Sequence, residues 1–282
     1  MYALKLVVKP FWLFAFLPAV LSAAPALEAV KPILSQIDGG AAEPPGFQYA
    51  PGEILYFNCR IAGFGKTEEN RIHVAYSVQA FDPKGVPLDE VYKNEVKVEL
   101  TSNDKDWMPK IATTISLPPL APAGKYKIVV KLEDQIGKTS GETTVPFQVR
   151  GYNLEPSDTL VVRNFHFYRA EDDTQPMPKA VYKPGDGVWA KFDLTGFKYG
   201  PRNQIDVSYV TSVIAPGGKV LWTQPEPAGE KAEAFYPKLF VPASMGITLQ
   251  KNIAPGEYTI AVQAKDAVGN QTFEEKFTFV IE

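Results

Sequence analysis

The sequence repeats itself. Residues 122–138 read PAGKYKIVVKLEDQIGK, and residues 254–270 read APGEYTIAVQAKDAVGN. Tyr126/Tyr258, Ile128/Ile260, Val130/Val262, Asp134/Asp266 and Gly137/Gly269 fall together at an offset of 132. A second pair of stretches, 49–88 and 182–221, aligns without a gap at 133. Its shared positions include Pro51/Pro184, Gly52/Gly185, Gly63/Gly196, Phe64/Phe197, Ile72/Ile205, Val74/Val207, Tyr76/Tyr209, Pro83/Pro216 and Gly85/Gly218. Chance does not hold register over so many structural residue types. The chain is read as a duplicated unit of about 100 residues, with a leading strand added to each copy.

Within a unit the period is two. Leu55, Phe57, Cys59 and Ile61 alternate with Tyr56, Asn58 and Arg60. The second copy sets Val188, Ala190, Phe192 and Leu194 against Trp189, Lys191 and Asp193. Ile72, Val74, Tyr76 and Val78 form another inward row, and Tyr126, Ile128, Val130 and Leu132 a third. Such alternation means strands with one buried face. The turns DPKG, APGG, QIGK and AVGN separate them. With 25 prolines in 282 residues, many must sit in turns, on edge strands or in linkers, because proline cannot donate to a sheet ladder. No helical period of useful length competes. The fold class is therefore all-β, two tandem β-sandwiches.

One motif sharpens this. PAGKYKI and APGEYTI each place a glycine two residues before a tyrosine and an apolar residue two after it. The pattern resembles the tyrosine corner of immunoglobulin-like sandwiches, in which the hydroxyl bonds back to the nearby backbone. The closing stretch AVQAKDAVGNQTFEEKFTFVI is similar to the last hairpin of bacterial immunoglobulin-like and fibronectin-III-like modules of exported proteins. The resemblance covers both units and implies a fold rather than a function. It places Ile128 and Ile260 where antibody domains have their second bridging cysteine. Tyr76 and Tyr209 stand on the strand that carries the central tryptophan of those domains.

The first 26 residues differ in character. Lys5 and Lys9 precede the apolar run FWLFAFLPAVLSA, and small residues follow in AAPA. That is the form of a cleaved secretory signal, with the cut after Ala23 or Ala26. The rival, an uncleaved membrane anchor, needs about 20 apolar residues, and this run has about 13. The expected domains are a signal peptide at 1–26, a first immunoglobulin-like sandwich at 27–150 and a second at 151–282, joined near VRGYNLEPSDTL. The product is expected in the periplasm, at the cell surface or outside the cell.

Removing a leader with two lysines and no acids leaves 29 − 2 = 27 basic groups against 32 acidic ones, a net charge of −5. A nucleic-acid binder would need a basic field, so that class is set aside. The single cysteine, Cys59, cannot form a disulfide within the chain, so stability must come from burial and backbone pairing.

Candidate sites are few. Cys59 points inward by parity and reads as core filler, the alternative being a reactive thiol. His73 and His166 lack a second histidine at ligand spacing and read as surface residues. GxSxG, HExxH and a Walker loop are absent from the sequence. Asp134 and Asp266 read as turn residues, with Gly137 and Gly269 supplying a positive φ; calcium binding is the alternative. Trp107 and Phe235 match in DWMPKI and AFYPKL and read as core or strand-edge residues. Trp189 and Trp222 are the binding candidates, as aromatics on outward positions. The expected function is a non-enzymatic binding or structural module that recognises a protein partner through edges and loops, without cofactor or metal. The alternatives are a carbohydrate-binding or enzyme-accessory module using exposed aromatics, and a hydrolase with a carboxylate pair between the units.

Overall fold

A computed structural model describes residues 26–151 and 154–282. All but the last residue of the expected signal peptide, and part of the linker, lie outside the described residues. The first sandwich comprises β1 (Glu28–Ser35), β2 (Gln48–Tyr49), β3 (Ile54–Ala62), β4 (Arg71–Phe81), β5 (Tyr92–Glu99), β6 (Lys110–Ser116), β7 (Gly124–Asp134) and β8 (Thr139–Val149). Its sheets run β1-β3-β6 and β2-β8-β7-β4-β5. The second comprises β9 (Val161–Tyr168), β10 (Val181–Tyr182), β11 (Gly187–Thr195), β12 (Ile205–Ile214), β13 (Val220–Thr223), β14 (Ala228–Ala232), β15 (Phe240–Thr248), β16 (Gly256–Asp266) and β17 (Gln271–Ile281). Its sheets run β9-β11-β15 and β10-β17-β16-β12-β13, with β14 also on β12.

This is the immunoglobulin arrangement. The leading segment of each unit is split between sheets. β1 and β9 pair antiparallel with β3 and β11. β2 and β10 cross over and pair parallel with β8 and β17. The units differ on one edge. β5 pairs with β4 from Arg71 to Val78. Its place in the second unit is taken by two short strands, β13 and β14, both on β12. Pro225 and Pro227 lie between them and interrupt the ladder.

The alternation in sequence is the alternation in burial. β3 and β4 bury every second side chain, and Leu55, Phe57, Cys59 and Ile61 are all inside. Each sandwich closes over its own apolar core. Asp193 departs from the pattern. It is buried on the outward side of β11, beside the irregular register of β9, where it accepts a hydrogen bond from Asn164 Nδ2 at 2.9 Å.

Both tyrosine corners form. Tyr126 Oη donates to the Pro122 carbonyl, and Tyr258 Oη to the Ala254 carbonyl, each at 2.8 Å. The glycine of the motif has a reason. Gly124 and Gly256 adopt φ of 152° and 149°, and a Cβ there would lie 2.6 Å from Pro83 Cγ or 2.9 Å from Pro216 Cγ. The corner therefore ties β7 and β16 to the turn after β4 and β12, which is why glycine and proline recur together.

The aspartate turns need a correction. Positive φ falls on Lys138 (52°) and Asn270 (50°), one residue beyond the expected glycines. Gly137 and Gly269 are required by space. A Cβ would lie 2.6 Å from Asp134 Oδ2 and 2.3 Å from Asp266 Oδ2. Those carboxylates face inward. Asp266 Oδ1 accepts from Val268 N and Gly269 N, while Oδ2 accepts from Lys198 N and Gln271 Nε2. Asp134 likewise takes Ile136 N and Gly65 N. Each aspartate thus ties the last hairpin to the loop after the second main strand.

Candidate functional site

Two surfaces stand out, and both lie at the β4–β6 end of a unit or its counterpart in the other. The first is the joint between the sandwiches. Tyr236, on the loop between β14 and β15, packs within the first sandwich's core and is 9% exposed. Its hydroxyl donates to Asp82 Oδ2 at 3.0 Å. Asp82 is itself buried, and its Oδ1 accepts from Lys84 N and Val86 N at 2.8 Å each. The Tyr126 hydroxyl adjoins this pair. Burial, then the Asp82 charge, pushes the Tyr126 pKa up, while the neighbouring Tyr236 hydroxyl pulls the other way. Tyr236 is held up for the same two leading reasons. Both phenols therefore stay protonated, in their hydrogen-bonding form, well above neutral pH.

The Tyr236 loop is braced from its own side. Tyr199 Oη donates to Lys238 O at 2.8 Å, Asn203 Nδ2 to Phe235 O at 2.6 Å, and Arg202 pairs with Glu233. Lys238 Nζ is ion-paired with Glu230. A groove of about 630 Å³ follows this seam, walled by Leu88, Leu117 and Leu120 on one side and by Tyr236, Pro237 and Pro242 on the other.

The second surface is a cleft of about 640 Å³ between the two sheets of the second sandwich, where β13 and β15 leave the edge open. Ala215, Leu221, Trp222, Leu249, Ile253 and Tyr258 line it. All four β13 residues are exposed, with Val220 at 53%, Leu221 at 47% and Trp222 at 38%. The matching edge of the first unit, β5, carries Lys93, Glu95, Lys97 and Glu99 instead. Charges of that kind discourage edge-to-edge pairing. β13 has none.

Trp222 lines the cleft. Trp189 does not. It belongs to the other sheet, half-buried, and its ring lies flat on Gly246 of the paired strand, where a Cβ would be 2.4 Å from Cζ3. The two tryptophans form no single row. Trp107 and Phe235, expected in core or strand edge, are exposed loop residues at 38% and 48%. Their loops need no period-two pattern, so parity does not place them. Cys59 is buried, and desolvation raises its thiol to about 12. His73 Nε2 meets Glu95 Oε2 at 2.9 Å on the surface. Lys97, then His73, hold the Glu95 carboxyl below its ordinary range. His166 is exposed on β9. Among the described residues, no cluster of three or more His, Cys, Asp or Glu is placed to hold a metal.

No family model matches this chain, and no curated protein matches it. Solved structures resemble it at low identity. The C-terminal domain of the Streptococcus pyogenes antigen I/II-family protein AspA is 11% identical, with a TM-score of 0.31, over 89% of this chain and 99% of that one. The C-terminal domain of the Streptococcus agalactiae AgI/II polypeptide BspA is 11% identical, with a TM-score of 0.30, over 89% and 100%. A family 123 glycoside hydrolase from Clostridium perfringens is 13% identical, with a TM-score of 0.29, over 44% and 27%. At these scores the function has to be argued from the surfaces.

Asp82 and Tyr236 were not singled out by sequence reasoning. A signal existed. The repeats align Asp82 with Ala215 and Tyr236 with Met108, so the joint is written where the copies diverge.

Proposed function

We propose that the chain is an exported, non-enzymatic binding module of two sandwich domains, 27–150 and 151–282, released from a signal peptide at 1–26. The second sandwich holds an apolar segment of a partner protein at its open edge. The observation that carries this reading is the run Val220–Leu221–Trp222, exposed on an uncharged edge strand beside an apolar cleft. An exposed apolar patch of this kind marks an interaction site. Unpaired edge groups of β13 would add main-chain hydrogen bonds to a docked strand. The test is capture of exported proteins and cell-wall glycans of the source organism on immobilised protein, with and without Trp222→Ala and Leu221→Asp. A protein partner retained by the parent and lost by both variants supports the reading. Retention unchanged by both variants removes it. A second reading, a carbohydrate-binding module, is favoured by Trp222 alone. It expects glycan retention that Trp222→Ala abolishes and Leu221→Asp spares.

A further inference from the structure

The joint between the sandwiches is a plug in a socket. Tyr236 is the plug; Asp82, Leu88, Leu117 and Tyr126 of the first sandwich surround or adjoin its socket. The duplication supplies each part twice. The second copy of the socket is Ala215, Leu221, Leu249 and Tyr258. Matching backbone bonds support the equivalence: Leu117 N donates to Glu53 O and Leu249 N to Asp186 O, both at 2.9 Å. These four residues line the open cleft of the second sandwich. The cleft is therefore the unfilled counterpart of a socket that is filled in the first.

The second copy of the plug lies on the first sandwich's own surface, Trp107 exposed and Met108 half-buried, with the Met108 carbonyl accepting from Arg60 Nη1 at 3.5 Å. Where the second unit has Phe235–Tyr236–Pro237, the first has Trp107–Met108–Pro109 on the loop between β5 and β6. Trp107 is 38% exposed. Thr101 and Asp104 fix that loop, Thr101 N and Oγ1 both donating to Asp104 Oδ2. Plug and socket have also changed together. In the filled joint a hydroxyl meets a carboxylate. In the second pair, methionine replaces the tyrosine and alanine replaces the aspartate. A tyrosine in the alanine socket would bury an unpaired hydroxyl, and a methionine in the aspartate socket would leave a buried carboxylate short of a donor. The second plug suits the open socket and not the filled one.

The geometry points to head-to-tail self-association, in which the Trp107–Met108 loop of one copy of this chain docks in the Ala215–Tyr258 cleft of a second copy. This rests on the reading of the cleft as a binding face and names its occupant. Plug and socket are different surfaces, so the contact is heterologous and a pair of chains leaves one of each free. Growth continues until a ring closes or a filament forms.

Sedimentation of residues 27–282, from micromolar concentrations to ~1 mM, reads this directly. The average mass rises above that of a monomer, to that of a closed ring or a filament. Met108→Asp and Leu221→Asp are each monomeric, while Met108→Leu still associates. An equimolar mixture of Met108→Asp and Leu221→Asp forms a dimer and stops there, because one variant keeps the socket and the other the plug. That recovery also shows that both variants are folded. A parent chain that stays monomeric at the highest concentration overturns the proposal. So does a mixture that remains monomeric. If the parent is monomeric yet captures another protein in a Trp222-dependent way, self-docking fails and the binding-face reading stands. If it neither associates nor captures, both fail.

Discussion

Three buried tyrosines at equivalent depth have different hydroxyl partners, and that difference is measurable. Tyr258 donates to Ala254 O, so Tyr258→Phe leaves a carbonyl short of its donor and is expected to cost about 1–3 kcal/mol in urea unfolding. Tyr126→Phe should cost about the same at least, since its hydroxyl also takes part in the Asp82–Tyr236 cluster. Tyr49 is the contrast. Its hydroxyl is buried without a hydrogen-bond partner among the described residues, and burial, with Glu43 and Glu53 nearby, raises it to about 12. Tyr49→Phe should be neutral or stabilising. A loss as large as that at Tyr258 would mean that Tyr49 has a partner in solution. Alkaline pH probes the same burial. Cys59 rises from 9.0 to about 12, and Tyr182 from 10.0 to about 12, both through desolvation first. The unfolded chain then releases these protons first, so it binds fewer protons than the native state and stability falls with pH. The contribution is fully present below pH 9 and is lost between about pH 9 and 12. A melting temperature flat across that window would contradict the buried thiol and phenols.

At the scale of the element, the aspartate hairpins separate two uses of glycine. Gly269 exists because Asp266 fills the space its Cβ would take. Gly269→Ala is expected to cost about 1–3 kcal/mol through overpacking. Lys138, by contrast, holds φ at 52° with a Cβ. Lys138→Gly should be neutral or stabilising by up to about 1 kcal/mol, once the entropy of the unfolded glycine is counted. Thermal melts of the two variants check both signs. If the positive φ belonged to the glycine, Lys138→Gly would only destabilise. The sequence could not distinguish these cases. It shows that a turn is present, but which residue turns left depends on what the preceding carboxylate binds.

At the scale of the molecule, Tyr236 is, among the described residues, the one large side chain of the second sandwich that packs in the core of the first. Tyr236→Ala should destabilise the first sandwich by about 3–5 kcal/mol and split calorimetric unfolding into two transitions. Tyr236→Phe should cost about 1–3 kcal/mol by removing the Asp82 bond alone. A single unchanged transition in Tyr236→Ala would mean that the sandwiches do not communicate through this residue. What was legible in advance follows from the same division. Period-two alternation states burial residue by residue, so Leu55 to Ile61 and Ile72 to Val78 were readable, and the corner motif carried its own geometry. The joint was not readable in that way. Tyr236 and Met108 sit in loops without a period, and Asp82 stands in a turn whose repeat has Ala215 in its place. Trp189 was readable as outward but not as lying against Gly246, a contact between residues far apart in sequence.

The split leading strand has a mechanical consequence. β2 and β8 run parallel, joined at Gln48/Gln148 and Tyr49/Val149, with Arg150 N donating to Tyr49 O at 2.8 Å. β10 and β17 repeat this at Val181/Val280 and Tyr182/Ile281, with Glu282 N on Tyr182 O at 3.0 Å. Tension that enters a unit through its leading strand and leaves through its last one draws this pair in opposite directions along their length. The bonds are loaded in shear, so they must yield together instead of peeling one by one. Two such clasps in series would let the chain bear tension along its length without first giving up its cores.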